Sequence, residues 1–281
     1  MNLRRIAAIG VATSAAVALV GCGGGSGSSG TSGSGSSTGK KIKIGTKFDQ
    51  PGLGLKKGDK MSGFDVDVAT YIAGQLGSSP EDIQWVQAVS AQRETLLSTG
   101  QVEMIVATYS ITDKRKAQVG FAGPYFIAGQ DLLVRADDTS IKGPEDLDGK
   151  KLCSVTGSTS AQQVQEKVPG VNLQEFGTYS ECVTGLVSKA VDAVTTDDTI
   201  LAGFAAQDQF KGKLRVVGAP FSSEKYGVGI KKGDTELCQK INDAITKMIS
   251  DGSWEKFVKA NFGPANYTPG PGNPPTPDSC S

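Results

Sequence analysis

The sequence predicts an α/β protein of two lobes, joined by a hinge and separated by a cleft. Strand and helix patterns alternate along the first part of the body, and the same alternation starts again at residue 130. Such alternation is typical of mainly parallel sheets covered by helices. The chain crosses between the lobes near 125–130 and again near 219–225. Two crossings make a hinge that can open and close a cleft.

The first lobe begins with three predicted strands that alternate with two helices. "KIKIGT" (41–46) alternates polar and apolar residues as a strand does, whereas "GFDVDVATYIAGQLG" (63–77) spaces its apolar residues as a helix does. "SAQRETLLSTGQ" (90–101) has the serine start and glycine stop of a short helix. The predicted strands "DIQWVQAV" and "VEMIVAT" lie before and after that helix.

The second lobe repeats this order. Its predicted strands are "QDLLVRAD", "GKKLCSVT", "LQEFGTY" and "VDAVTTDD", and its predicted helices are "SAQQVQEKV" and "SECVTGLVSKA". A last amphipathic segment (235–263) has the apolar stripe of a helix that packs on a core. We therefore assign 40–127 and 224–267 to lobe 1, which is discontinuous, and 128–223 to lobe 2.

The N-terminal residues have the features of a secretory signal peptide. Arg4 and Arg5 precede an apolar run that is too short and wrongly flanked for a membrane-spanning helix, so we assign 1–21 to the signal peptide. "LVGC" then looks like a bacterial lipobox, which would place lipid on Cys22 and anchor the protein to the outer face of the cell membrane. The alternative is a plain secreted protein in which Cys22 is incidental.

Two segments flank the folded body. Residues 22–39 are almost entirely Gly and Ser after the cysteine, have no side chain that could build a core, and are predicted to be a flexible tether. Residues 268–281 are too rich in Pro and Gly to continue a helix and form a tail.

The composition excludes several classes of function. Lys plus Arg and Asp plus Glu number 29 each, and loss of the signal peptide leaves about two net negative charges, so nothing favours nucleic-acid binding. The chain contains no histidine, which excludes Ser-His-Asp and Cys-His catalysis and removes the commonest zinc ligand. We therefore expect neither a metal nor a cofactor.

The four cysteines that remain after Cys22 suggest two disulfides, because an exported chain is oxidised. Three pairings are possible. We prefer Cys153 with Cys182, which lie in one predicted lobe, and Cys238 with Cys280, which would pin the tail to the C-terminal helix.

Polar residues cluster where predicted strands end, which is where open α/β sheets bind ligands. "VATYSITDKRK" (106–116) offers hydroxyls and Arg115, whose planar fork fits a carboxylate. "CSVTGSTSAQ" (153–162) offers further hydroxyls from the second lobe, and Asp197 could receive an ammonium group. Together they describe a site for an α-amino acid. Taken singly, Ser110 could instead cap a helix and Arg115 pair with Asp113 at the surface.

These stretches resemble the bacterial extracellular amino-acid-binding proteins of ABC importers, and among them the actinobacterial glutamate-binding lipoproteins. The resemblance covers about 40–265 and is carried by "SGFDVD", "SAQRETL", "MIVATYSITDKRK", "GKKLCSVTGSTSAQ" and "VDAVTTDD". It implies a periplasmic-binding-protein-like fold of type II, with two lobes, a hinge and an interlobe cleft.

The resemblance also implies roles for individual residues. Arg115 would bind the ligand α-carboxylate, with Thr108 and Ser110 beside it. Ser158 and Thr159 would hold the same group from the other lobe, and Asp197 would bind the α-amino group.

Side-chain selectivity would depend on the first lobe. Lys47 stands where many relatives with neutral or basic ligands carry an acid, and "SAQR" places Ser90 and Arg93 on the same lobe. Two further cations would match a second carboxylate, because a buried ligand charge needs a partner. The alternatives are a solvated Lys47 and a helix-surface ion pair of Arg93 with Glu94 or Glu103.

We therefore expect a lipid-anchored, monomeric binding protein that closes its lobes on L-glutamate and delivers it to the permease subunits of an ABC importer, without altering it. Aspartate, glutamine and asparagine are alternative ligands. Other readings are a cyclic-acid dehydratase on the same fold, with Asp197 or Asp198 as its acid or base, and a sensor that presents its closed form to a receptor kinase.

Overall fold

A computed structural model describes residues 39–280. The predicted signal peptide, the lipidation site Cys22 and all of the tether except Gly39 lie outside the described residues, as does Ser281 at the end of the tail. Within the described part of the chain, no helix is long and apolar enough to cross a membrane.

The described chain folds into alternating strands and helices. The strands are β1 (Ile42–Thr46), β2 (Asp49–Gln50), β3 (Gly54–Lys57), β4 (Lys60–Ser62), β5 (Ile83–Gln87), β6 (Met104–Ile105), β7 (Gly120–Ala128), β8 (Gln130–Arg135), β9 (Lys151–Val155), β10 (Asn172–Phe176), β11 (Ala193–Asp197), β12 (Leu214–Val216) and β13 (Glu224–Ile230). The helices are α1 (Phe64–Gln75), α2 (Arg93–Ser98), α3 (Asp113–Lys116), α4 (Thr159–Lys167), α5 (Tyr179–Val187), α6 (Asp198–Ala205), α7 (Thr235–Ser250) and α8 (Ser253–Phe262).

Two five-stranded sheets form the two lobes. The first has the order β5-β1-β6-β13-β7, in which β1 is parallel to β5 and β6 while β13 is antiparallel to both of its neighbours. The second has the order β10-β9-β11-β8-β12, in which β8 is the antiparallel strand. The two-lobe α/β architecture predicted from the alternation is therefore present, while the exact lobe boundaries stay a prediction.

The chain passes between the sheets twice, and the two crossings lie side by side. The first crossing is Gly129, between β7 and β8, and a Cβ added there would lie 2.8 Å from Cβ of Pro220 in the second crossing. Hydrogen bonds join the crossings, from Phe221 N to Gln130 O at 2.8 Å and from Gln130 N to Ser222 Oγ at 3.0 Å. This pair of segments is the hinge.

The core of the first lobe is built on aromatic residues. Phe64 at the start of α1 packs against Phe126, Trp254 and Phe262, with ring centroids 5.1–6.2 Å apart. Each of these rings buries a large apolar area and therefore contributes strongly to stability. This cluster holds α1 and α8 together, and α7 packs against both helices.

Three local features differ from the sequence prediction. The segment 235–263 is two helices, because Gly252 adopts a left-handed conformation (φ 80°) that ends one and begins the other. "VEMIVAT" forms only a two-residue strand, since the chain turns away at Thr108, whose φ is 45°. The structure also adds the nine-residue β7 and the small antiparallel sheet β2-β3-β4, which the sequence analysis did not assign.

The tail covers the edge strand β7 and is anchored covalently. Disulfides join Cys153 to Cys182 and Cys238 to Cys280, which are the preferred pairings. The Asn273 side chain binds both the N–H and the C=O of Ile127, at 3.0 and 2.7 Å. Asn273 thus takes the place of a strand partner at Ile127 and protects the sheet edge there.

Candidate functional site

The candidate site lies between the lobes, where strands of both sheets end. Thr108 follows β6, Ser158 follows β9, and Asp197 is the last residue of β11. The small cavity there is lined by Ser90, Arg93, Thr108, Ser158, Thr159, Ser160, Tyr179, Thr196, Asp197 and Ile200. Six of the nine predicted binding residues are in this lining. Lys47 and Ser110 contact the lining residues Ser90 and Thr159, and Arg115 contacts Gly157, which precedes Ser158.

Arg115 is buried and links the two lobes. Its Nη1 donates to Ser110 O at 2.8 Å, and its Nη2 donates to Gly157 O of the second lobe at 3.1 Å. Its Nε lies 3.4 Å from Glu94 Oε1, and its guanidinium lies 4.9 Å from the centre of the Tyr109 ring. These contacts hold the guanidinium fork at the junction where a carboxylate could bind both lobes.

The structure does not support the surface alternatives for this segment. The residue that caps α3 is Thr112, which accepts from Arg115 N at 3.2 Å, and Ser110 has no such role. Arg115 forms its ion pair with Glu94, not with Asp113.

The loop before α4 brings hydroxyls from the second lobe. Ser158 is the N-cap of α4 and accepts from Ala161 N at 3.0 Å, and Thr159 Oγ1 lies 3.4 Å from Ser110 Oγ across the cleft. Gly157 is in a left-handed conformation (φ 78°), and a Cβ there would lie 2.8 Å from Cα of Ala91. Only glycine allows the two backbones to approach this closely.

Asp197 is buried, and only one of its two carboxylate oxygens has a hydrogen-bond partner among the described residues. Its Oδ2 accepts from the Tyr226 hydroxyl at 2.7 Å, whereas its Oδ1 has no partner among the described residues. The pKa of Asp197 is raised well above its usual range, mainly by burial and to a smaller extent by the nearby Glu224 carboxylate. A buried carboxylate oxygen without a hydrogen-bond partner costs free energy. A cationic group in the cleft would supply that partner and would also lower the raised pKa.

Lys47, Ser90 and Arg93 form a second polar group in the first lobe. Lys47 Nζ donates to Ser90 Oγ at 2.9 Å, and Arg93 Nη1 donates to Ala107 O at 3.0 Å. Arg93 lies 4.1 Å from the centre of the Tyr109 ring, and its Nε has no partner within residues 39–280. Lys47 is therefore not a solvated lysine, and Arg93 is not a helix-surface residue paired with Glu94 or Glu103.

Burial and mutual repulsion shift the pKa values of both cations. Burial, and then the charge of Arg93, lowers the pKa of Lys47 to about 7. Burial, and then the charge of Arg115, lowers the pKa of Arg93 to about 10. Such a cluster is electrostatically unsatisfied and attracts an anion.

Asp65 of the "SGFDVD" motif positions the strand exit without lining the cavity. Its carboxylate accepts from Thr108 N at 2.9 Å and from the Tyr125 hydroxyl at 2.7 Å. Burial raises its pKa to about 6, and its two hydrogen bonds oppose that shift. This contact sets the left-handed turn that points Thr108 into the site.

Tyr179 also lines the cavity, although it was not among the binding residues predicted from the sequence. Tyr179 is the first residue of α5, just after β10, so the same strand-end rule could have found it. Glu94 and Tyr226, which hold Arg115 and Asp197, give no such local signal, because they come from other elements. Among the described residues, no cluster of acids and cysteines could hold a metal ion.

Comparison with known proteins gives one matching family and several similar proteins. Residues 42–264 match the family described as bacterial extracellular solute-binding proteins, family 3. The glutamate-binding protein GluB of Corynebacterium efficiens is 47% identical over 94% of this chain and 92% of its own length. The ABC transporter glutamine-binding protein GlnH of Bacillus subtilis is 39% identical over 78% of this chain and 80% of its own. An ancestral arginine-binding protein bound to glutamine superposes with a TM-score of 0.73, at 37% identity over 79% of this chain and 97% of that one.

Proposed function

We propose that this chain, which belongs to the bacterial extracellular solute-binding proteins of family 3, captures L-glutamate outside the cell and delivers it to the permease of an ABC importer. The observation that carries this proposal is the set of charges in the cleft. Arg115 suits the α-carboxylate, the free oxygen of Asp197 suits the α-ammonium group, and Lys47 with Arg93 suits a second carboxylate.

Glutamate is favoured over glutamine by the buried cations. Arg93, and Lys47 while it is protonated, are buried N–H donors that accept no hydrogen bond, so an amide nitrogen beside them would lack a partner. A carboxylate would accept from both and would offset their repulsion. The relatives named for glutamate in C. efficiens and for glutamine in B. subtilis mark these two ligands as the ones to compare first.

The proposed cycle is binding without chemistry. Residues that would contact the ligand belong to both lobes, so the complete set exists only when the lobes meet, and binding favours the closed form. Asp198 is held by Gly129 N at 3.3 Å and by the Tyr267 hydroxyl at 3.0 Å, which supports a structural role and not that of a catalytic acid. A lipid on Cys22, a monomeric state and a permease partner complete the proposal.

Calorimetric titration of residues 39–281 tests the proposal with L-glutamate, L-aspartate, L-glutamine and L-asparagine. We expect glutamate to bind tightest, with glutamine at least tenfold weaker. Arg115→Ala and Asp197→Ala should abolish binding of all four, since removing one partner of a buried charge pair costs about 3–5 kcal/mol. Lys47→Met and Arg93→Met should weaken the two acids selectively.

The outcomes separate the parts of the proposal. Tight binding of glutamine with weak binding of glutamate would keep the α-amino-acid site and refute the acidic side-chain site. Wild-type affinity in both Arg115→Ala and Asp197→Ala would refute the cleft assignment altogether.

A further inference from the structure

Glu224 is a buried acid at the end of the second hinge crossing, outside the set of proposed ligand contacts. It is the first residue of β13, and its Oε1 accepts from Ser222 Oγ at 2.8 Å. The same oxygen accepts from Gln163 Nε2 of α4, in the second lobe, at 2.8 Å. Burying a carboxylate costs free energy, and these two hydrogen bonds could equally be accepted by a neutral amide. The negative charge therefore calls for an explanation of its own.

Glu224 lies close to Asp197, the acid proposed for the ligand α-ammonium group. Side chains two residues apart on a strand share a face, so Glu224 lies on the same face of β13 as Tyr226, whose hydroxyl donates to Asp197 Oδ2 at 2.7 Å. Asp197 is also the strand partner of Gln130, whose N–H donates to Ser222 Oγ at 3.0 Å. Two routes of contact, one through Tyr226 and one through the hinge, thus bring the two carboxylates together.

The two carboxylates repel one another until a cation lies between them and the cleft. The Glu224 carboxylate adds to burial in raising the pKa of Asp197, whose Oδ1 lacks a partner within residues 39–280. The other charged or titratable groups that act on Asp197 are Asp198, Arg115, Tyr179, Tyr226 and Tyr267. Of these five groups Arg115 alone is positive, and it already has Glu94 as its partner. A ligand ammonium group would therefore be attracted by both carboxylates.

We propose that Glu224 is a positioning residue for the ligand α-ammonium group, in which its carboxylate adds a second negative charge to that of Asp197. The inference rests on the proposed function and deepens it. Glu224 acts on a group that all α-amino acids share, so it strengthens binding without selecting among ligand side chains. Its hydrogen bond from Gln163 also joins this charge to α4, the helix whose start would bind the α-carboxylate.

The contribution of the Glu224 charge should depend on pH. Where Asp197 is ionised in the free protein, Glu224 contributes its full attraction for the ammonium group. Where Asp197 is protonated in the free protein, binding of the ammonium group must ionise it, and the repulsion between the two carboxylates then offsets that attraction. The contribution of Glu224 to affinity should therefore grow as the pH rises through the pKa of Asp197 in the free protein.

Glu224→Gln removes the charge and keeps an oxygen that can accept both hydrogen bonds, and Glu236→Gln is the matched control. Glu236 lies in α7, where its side chain is exposed and paired with Lys240. The experiment is calorimetric titration of wild type and both variants (residues 39–281) with L-glutamate and L-glutamine from pH 5 to 8.5. Thermal unfolding of each protein without ligand accompanies it. The measured quantity is the ratio of variant to wild-type dissociation constants at each pH, in which the titration of the ligand itself cancels.

We expect Glu224→Gln to raise the dissociation constants of both ligands about 3- to 30-fold at pH 8.5 and less than about twofold at pH 5. Glu236→Gln should leave both constants unchanged at every pH. Because Glu224→Gln also removes the repulsion from Asp197, the ligand-free variant should unfold at the wild-type temperature or above it.

The outcomes separate this inference from the proposed function. A ratio near one at every pH, a loss of affinity that does not change with pH, or a loss for glutamate alone would overturn the role of Glu224 and leave the proposed function standing. Failure of the wild-type protein to bind glutamate would overturn the proposed function. If glutamine then still bound with a ratio that grows with pH, the role of Glu224 toward the ammonium group would stand, and if glutamine also failed to bind, that role would be refuted as well.

Discussion

Arg93 and Arg115 lie over the same tyrosine ring, and Lys47 is close enough for both to lower its pKa. Among these three cations, the structure gives Arg115 a carboxylate partner, Glu94. Like charges that share a buried site destabilise one another, so the cluster costs free energy until an anion enters the cleft. The excess of positive charge among these three residues therefore favours an acidic ligand.

The pKa of Lys47 predicts a pH dependence that differs between ligands. In the free protein Lys47 loses its proton as the pH rises through about 7, whereas a bound carboxylate stabilises the protonated form and raises the pKa. Glutamate binding should thus take up a proton above pH 7, and its affinity should fall by up to about tenfold per pH unit between pH 7 and 8.5.

Glutamine is the control ligand for this pH dependence, because it shares the α-groups and lacks the second charge. Calorimetry in buffers of different ionisation enthalpy measures the proton uptake directly. Lys47→Met should remove the difference between the two ligands. Equal pH profiles for glutamate and glutamine in the wild type would contradict the assignment of Lys47.

At the scale of secondary-structure elements, the site is built from the starts of helices that follow strands. Ser158 caps α4, Thr178 caps α5, and α6 begins directly after Asp197. Each cap satisfies backbone N–H groups and so fixes the direction in which the helix leaves the sheet. The tail belongs to the first lobe, where it contacts the edge strand β7 and the helix α7.

The disulfide of the tail should stabilise the fold without affecting ligand recognition. Cys238–Cys280 closes a loop of 42 residues in sequence separation and holds the tail on β7, with Asp278 N donating to Gly123 O at 2.7 Å. Replacing both cysteines by serine should lower the free energy of unfolding by about 2–4 kcal/mol, because the unfolded chain gains conformational freedom.

Denaturant unfolding measures this loss, and the glutamate affinity of the folded variant should stay within about twofold of the wild type. A large loss of affinity at unchanged stability would show instead that the tail acts on the hinge, which Ile127 and Asn273 adjoin.

At the scale of the whole molecule, the lobes meet at points outside the ligand contacts. Gly203 of α6 faces the first lobe so closely that an added Cβ would lie 2.1 Å from the carbonyl oxygen of Pro51. Because the backbone oxygen cannot move aside, any side chain at 203 would hold the lobes apart. Closure therefore depends on a residue that touches no ligand group.

Gly203→Ala should weaken glutamate binding at least tenfold while leaving the ligand-free protein as stable as the wild type or more so. Alanine in a helix is favoured over glycine by about 1 kcal/mol, so loss of folding would not explain weaker binding. Gly185→Ala is the control, since it lies in α5 of the same lobe and its Cβ would meet Val191 at an ordinary 3.6 Å.

Small-angle scattering with and without glutamate reports closure directly. The wild type and Gly185→Ala should become more compact on binding, and Gly203→Ala should not. Full compaction and wild-type affinity in Gly203→Ala would show that α6 can shift to accommodate the methyl group.

The sequence by itself determined the alternation of strands and helices, the polar residues at the strand ends and the even number of cysteines available for disulfides. These properties are local, because periodicity, helix caps and turn residues each involve only a few neighbouring positions. They can therefore be recognised in the amino-acid sequence alone. They were sufficient to place Thr108, Ser158 and Asp197 at the ends of strands, and these three residues line one cavity.

Only the tertiary structure decided which side chains face each other across the cleft. The pairing of β7 with β13 joins residues about a hundred positions apart, and the tail reaches β7 from still further along the chain. Whether Lys47 is solvated or buried, and whether Tyr179 points to the surface or to the cavity, depends on these non-local contacts and on how the lobes meet. Packing across long sequence separations has no periodic signature, so it becomes visible only when the chain is folded.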